Sequence, residues 1–158
     1  EITSDNDCGG RLGPVKNGTA DLRNLRTYCV QCQPQDLIMV VSDGVHDNFH
    51  PQMLSVSPND LKLDFDTWEE ASKVIDTEAV ATKYRIQGLQ HFITDFECTP
   101  KNLVSKIMQR CEAITKNSRE WMETHVGQAL PQDYGAYPGK MDHTTCVVFR
   151  VGRASWFK

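Results

Sequence analysis

Two acidic junctions in the sequence carry the residue types that metal chemistry needs. In Ser42-Asp43-Gly44-Val45-His46-Asp47-Asn48 an apolar run ends abruptly in Asp-Gly, which sets the Asp43 carboxylate where the backbone must turn. Far along the chain, Asp142 in Met141-Asp142-His143 stands just before a run rich in Thr, Val and Phe. Hard divalent cations such as Mg2+ and Mn2+ take carboxylate oxygens and water, and ligands at strand ends are held more rigidly than ligands on loops. Asp43 and Asp142 are therefore the candidate metal ligands, and two such carboxylates could converge on one site. Gly44, His46, Asp47 and His143 are the supporting residues: Gly44 frees the turn sterically, and a histidine near the metals titrates close to working pH. Against this stands a plainer reading, in which Asp-Gly is a common turn after a strand and Asp47 caps a short helix.

Those residues need elements to hold them. From Arg26 to Gln33 and from Asp36 to Ser42, β-branched and apolar residues form two blocks separated by Pro34-Gln35, the pattern of an antiparallel hairpin. Leu37 to Val41 is continuous rather than alternating, which predicts a central strand covered on both faces, with Asp43 just past its end. After a loop from Ser42 to Asp60, the polar and acidic residues from Asp66 to Glu70 predict the start of a helix from about Thr67 to Tyr84. A second helix is marked by Thr99 as its cap and Pro100 at its first position, with Leu103, Ile107, Cys111, Ile114, Ser118 and Trp121 at helical spacing as a core-facing stripe. Gly127 to Lys140 reads as a loop that delivers the chain to Asp142, and Thr144 to Val151 reads as a strand. The order of strands, helices and strand predicts an α+β layered fold, and 158 residues suit one unit with one sizeable core.

The segment Val40-Val41-Ser42-Asp43-Gly44-Val45-His46-Asp47 resembles the SDG-x-x-D segment of PP2C-type metal-dependent serine/threonine phosphatases. Asp142-His143-Thr144-Thr145-Cys146-Val147-Val148 resembles their terminal DN-x-[ST]-x-V segment, and the order and wide separation also match. Gly9-Gly10-Arg11-Leu12-Gly13 followed by Asp21-Leu22-Arg23 occupies the place of that family's glycine-bearing segment. The resemblance implies an α-β-β-α sandwich of two antiparallel sheets flanked by helices, with two Mg2+ or Mn2+ ions at one end held in part by Asp43 and Asp142. It further implies that a metal-activated water hydrolyses phosphoserine or phosphothreonine in a phosphoprotein, with no covalent phosphoenzyme.

The family's first half carries a phosphate-binding arginine, an early acidic residue and an Asp-Gly-His-Gly-type segment, none of which matches this sequence. The chain thus reads as the C-terminal portion of such a domain, with the N-terminal half as its structural partner and little activity of its own. His143 stands where the family usually has Asn. The alternative is a pseudophosphatase that keeps the fold to bind partners.

Composition narrows the remaining classes. The 21 acidic and 17 basic residues give a formal charge of -4 and are scattered, so no basic stripe offers itself to nucleic acid. No apolar run approaches membrane-spanning length, and Glu1 to Arg11 lacks the basic and apolar regions of a signal peptide. Six cysteines in a chain able to bury a core predict reduced thiols in a cytoplasmic, or also nuclear, protein. Cys29-Val30-Gln31-Cys32 has the spacing of half a zinc site but no second pair, so its thiols are read as structural. Ser42 lacks the Gly-x-Ser-x-Gly surroundings of a hydrolase nucleophile.

Overall fold

The structure is a computed structural model that describes Gly18, Leu22 and residues 25–152. The glycine-bearing segment Gly9 to Gly13 lies outside the described residues, as do Cys8, Asp21 and Arg23. The chain divides into two units, residues 1–33 and 34–158. In the first, residues 25–33 are irregular and mostly exposed.

In the second unit, β1 (Leu37–Val41) leads into a short helix α1 (Asp43–His46) and then through three 3-10 turns. Helices α2 (Trp68–Ser72), α3 (Thr77–Thr94), α4 (Pro100–Ile114) and α5 (Lys116–Thr124) follow, and β2 (Cys146–Arg150) closes the order. The fold is α+β, with β1 and β2 paired antiparallel from Leu37 opposite Arg150 to Val41 opposite Cys146.

The expected hairpin between Arg26–Gln33 and Asp36–Ser42 is corrected by this pairing. Residues 26–33 form no strand, and Tyr28 and Val30 are largely exposed, so the β-branched run has no face to bury. Gln35 takes a positive φ and donates its N–H to the carbonyl of Val151 at 2.9 Å, while Val151 donates to Asp36 at 2.8 Å. The end of β2 thus takes the hydrogen bonds that the hairpin would have used. The expectation that β1 is covered on both faces also fails among the described residues. Leu37, Met39, Val41, Cys146 and Val148 pack against the core, whereas Val40, Val147 and Phe149 on the other face are each at least half exposed.

The core is Val45, Phe49, Leu103, Ile107 and Cys111, so α4 lies across the inner face of the sheet beside α1. Leu103, Ile107 and Cys111 recur every four residues, which is why one stripe of α4 is buried. Phe92 from α3 meets Phe49 edge-on at 6.0 Å and extends this core.

Both expected helices are divided in two. Thr67 caps α2 in a capping box with Glu70, but the helix stops after Ser72 because Asp76 begins another by accepting the N–H of Ala79. That helix, α3, runs to Thr94, beyond the expected end at Tyr84. Thr99 caps α4, with Pro100 in its first turn. The backbone then opens at Thr115, whose hydroxyl donates to the Cys111 carbonyl at 2.8 Å, and α5 restarts at Lys116. The stripe survives the break, since Ser118 is fully buried. Among the described residues no helix is long and apolar enough to cross a membrane.

Candidate functional site

The loop before β2 meets the end of β1, and the meeting is held by side chains that bond backbone. Ser42, where β1 ends and α1 begins, donates its hydroxyl to the His143 carbonyl at 3.0 Å and accepts the Thr145 N–H at 2.9 Å. Its own N–H donates to the Thr145 carbonyl at 3.0 Å. Ser42 is therefore a bracket between the two acidic junctions. Val45, one turn on, is buried in the core and anchors α1 from below.

Gly44 has a different role from the one expected. Its φ is not left-handed, so the turn itself does not demand glycine. A Cβ at this position would lie 2.5 Å from the His143 carbonyl oxygen, closer than the two atoms can approach. Glycine here permits α1 and the 142–145 segment to touch.

A second clamp is Asn48, whose side chain is fully buried. Its amide donates to the carbonyls of Gly44 at 2.7 Å and Lys140 at 3.1 Å, and its oxygen accepts the Lys140 N–H at 3.0 Å. Gly139, at φ +81°, brings the loop into that position: a Cβ there would sit 2.4 Å from the Asn48 oxygen and 2.5 Å from Ile114 Cγ2. Asn48 therefore fixes where Lys140 begins.

The Lys140 ammonium in turn gathers three carboxylates. Its Nζ lies 2.9 Å from Asp47 Oδ2, 3.0 Å from Asp43 Oδ2 and 3.2 Å from Asp142 Oδ2. Asp43 and Asp142 also accept the N–H of the residue that follows each, Gly44 at 2.9 Å and His143 at 2.7 Å, which orients both carboxylates locally. Asp47, read from sequence as a support, stands level with the other two. His46 turns its Nδ1 to Asp47 Oδ1 at 3.0 Å. The His143 ring is fully exposed and 3.7 Å from Asp142 Oδ1, so what this residue contributes to the junction is mainly its backbone.

The charges shift one another in the directions this geometry requires. Burial alone would raise the Asp47 carboxyl, but hydrogen bonds from Lys140 and His46 outweigh it and hold the group below its ordinary value. Asp142 is lowered by the His143 N–H and then by Lys140. Lys140 is raised by Asp47, then by Asp43. Burial, then the charge of Arg85, lowers His50.

Acid should therefore act in two stages. A histidine with a lowered value resists protonation in the folded state, so its contribution is present above the ordinary value of 6.5 and is lost as pH falls below that through the lower folded value. Carboxylates with lowered values contribute stability above their ordinary 3.8 that is lost as pH falls further, through their folded values. Urea midpoints measured against pH should fall first below 6.5 and again below about 4. In His50→Gln the first fall should vanish and the second remain; if the first remains too, it does not belong to His50.

The donor set suits a hard divalent cation in its chemistry, because three carboxylate oxygens surround one cationic nitrogen. Among the described residues no group of three or more His, Cys, Asp or Glu side chains stands closely enough to hold a metal ion, and the three carboxylates meet the Lys140 ammonium. The residues that sequence reasoning misses are Lys140, which the sequence places only in a loop, Asn48, and Ser42 as a bracket. The one local signal was the position of Lys140, two residues before Asp142. The five described cysteines, Cys29, Cys32, Cys98, Cys111 and Cys146, are free thiols. Compared with protein-family models, with curated proteins and with solved structures, the chain gives no match.

Proposed function

We propose that this chain is the C-terminal part of a PP2C-type, metal-dependent serine/threonine phosphatase domain. The observation that carries the reading is the meeting of Asp43 and Asp142, distant in sequence, at one end of the β1–β2 sheet. Asp43 and Asp142 would hold Mg2+ or Mn2+, with Asp47 beside them. When bound, such ions supply an activated water and neutralise charge on the phosphoryl group of a phosphoserine or phosphothreonine. The protein's own residues do the positioning: Ser42 and Asn48 hold the two acidic segments in register, and Gly44 lets them approach. In this reading the N-terminal half of the domain brings the second sheet of an α-β-β-α sandwich, and the exposed apolar face of Val40, Val147 and Phe149 is where that layer would lie.

A second reading is a pseudophosphatase that binds partners, and Lys140 favours it, since an ammonium already neutralises the cluster. Calorimetric titration with Mn2+ separates the two, using the 158-residue protein and an Asp43→Asn, Asp142→Asn double variant. Binding that is lost in the variant supports the metal site; heat that is the same in both removes it and leaves the partner-binding reading. The isolated chain should turn over a phosphopeptide poorly, and robust turnover would refute the need for an N-terminal half.

A further inference from the structure

We propose that Lys140 is a tethered counter-cation, which neutralises the Asp43, Asp47 and Asp142 cluster and which a divalent ion must displace in order to bind. The inference rests on the metal-site reading and adds to it a competitor built into the chain.

An ammonium carries three protons, and here Nζ donates to Asp43 Oδ2 and Asp47 Oδ2 and lies 3.2 Å from Asp142 Oδ2. Three carboxylates brought together without a cation would repel one another, so the lysine makes the metal-free cluster tolerable. The same contacts oppose a metal ion. Mg2+ takes its oxygens at about 2.0–2.1 Å, so the carboxylates would have to draw in toward a point beside which a second cation is repelled. Nζ and the divalent ion therefore exclude each other.

The lysine is built to leave without dismantling the site. Asn48 holds both the N–H and the carbonyl of Lys140, so the four-carbon stem can change rotamer while the backbone stays in place. Beside it opens a cleft of about 300 Å³ whose lining includes Met108, Glu112, Arg119, Met141 and Asp142. There the displaced ammonium would meet Glu112, which Arg119 already pairs at 3.9 Å, and would have to share that carboxylate.

The test compares Mn2+ binding by calorimetry in the wild-type chain, in Lys140→Met and in Lys140→Arg. The Met variant should melt at a lower temperature without metal and bind Mn2+ at least about 10-fold tighter, while the Arg variant stays within about 3-fold of wild type. Equal or weaker binding by the Met variant overturns the proposal.

A measurement on the wild-type chain does not depend on the variants folding. With 15N-lysine labelling, the Lys140 ammonium signal should move during a Mg2+ titration, with the same midpoint as calorimetry. A signal unmoved at saturating Mg2+ also overturns it.

The two readings fail differently. If Asp43→Asn, Asp142→Asn abolishes binding but Lys140→Met leaves Kd unchanged, only the role of Lys140 is lost. If the double variant binds as wild type does, or if neither wild type nor Lys140→Met binds Mn2+, the metal site itself is lost, and this proposal with it.

Discussion

Replacing Asn48 by Ala is expected to lower the unfolding free energy by about 3–4 kcal/mol, the largest effect of any polar substitution in the site. The side chain is fully buried and makes three hydrogen bonds to backbone, two donated and one accepted. Its removal leaves the Gly44 carbonyl and both polar groups of Lys140 without that partner, and a buried group left unmade costs about 1–3 kcal/mol. Asn48→Asp sharpens the test because it keeps the shape and the acceptor while losing both donors. Its carboxylate would face two carbonyl oxygens in a buried position, so at neutral pH it should cost at least as much as Ala. Urea denaturation of both variants measures this. A loss under about 1 kcal/mol in each would mean that the Lys140 loop is held by something other than Asn48.

Gly44→Ala should cost about 2–3 kcal/mol and, more tellingly, should separate the two acidic junctions. The added methyl would meet the His143 carbonyl oxygen at 2.5 Å, a contact with backbone rather than with a flexible side chain, so one segment must move. Movement there breaks the Ser42 bracket and draws Asp43 away from Lys140. Gly88→Ala is the control: this glycine lies inside α3 with nothing within 4 Å of the added carbon. Alanine should stabilise there by up to about 1 kcal/mol, since glycine disfavours a helix interior. The prediction fails if both substitutions shift the urea midpoint alike, or if Gly44→Ala binds Mn2+ as tightly as the wild-type chain does.

The parts of the fold legible in the sequence are those decided by near neighbours. Thr67 with Glu70 and Thr99 with Pro100 each mark a helix start, because a cap bonds backbone only two or three residues away. The stripe from Leu103 to Cys111 is buried as its spacing predicts, because helical geometry alone puts those residues on one face. The break at Thr115 was not legible: the apolar period continues through it, and the Ser118 position fits one helix or two. The partner of β1 was not legible either, because a strand's apolar run is equally compatible with either neighbour. The ladder from Leu37 opposite Arg150 to Val41 opposite Cys146, extended by the bonds at Gln35 and Val151, selects β2.

The candidate site divides in the same way. The sequence by itself placed one carboxylate just past a strand and another ahead of the next, since turn residues and β-branched runs are local signals, although Asp142 lies in the loop four residues before β2 opens at Cys146. It also singled out Gly44, though for the turn rather than for the approach of His143. The tertiary structure alone decided that Asp43, Asp47 and Asp142 share one cation and that this cation is Lys140. Coulomb attraction acts across space rather than along the chain, so the fold, through Asn48, Gly139 and the Ser42 bracket, chose which charges would meet.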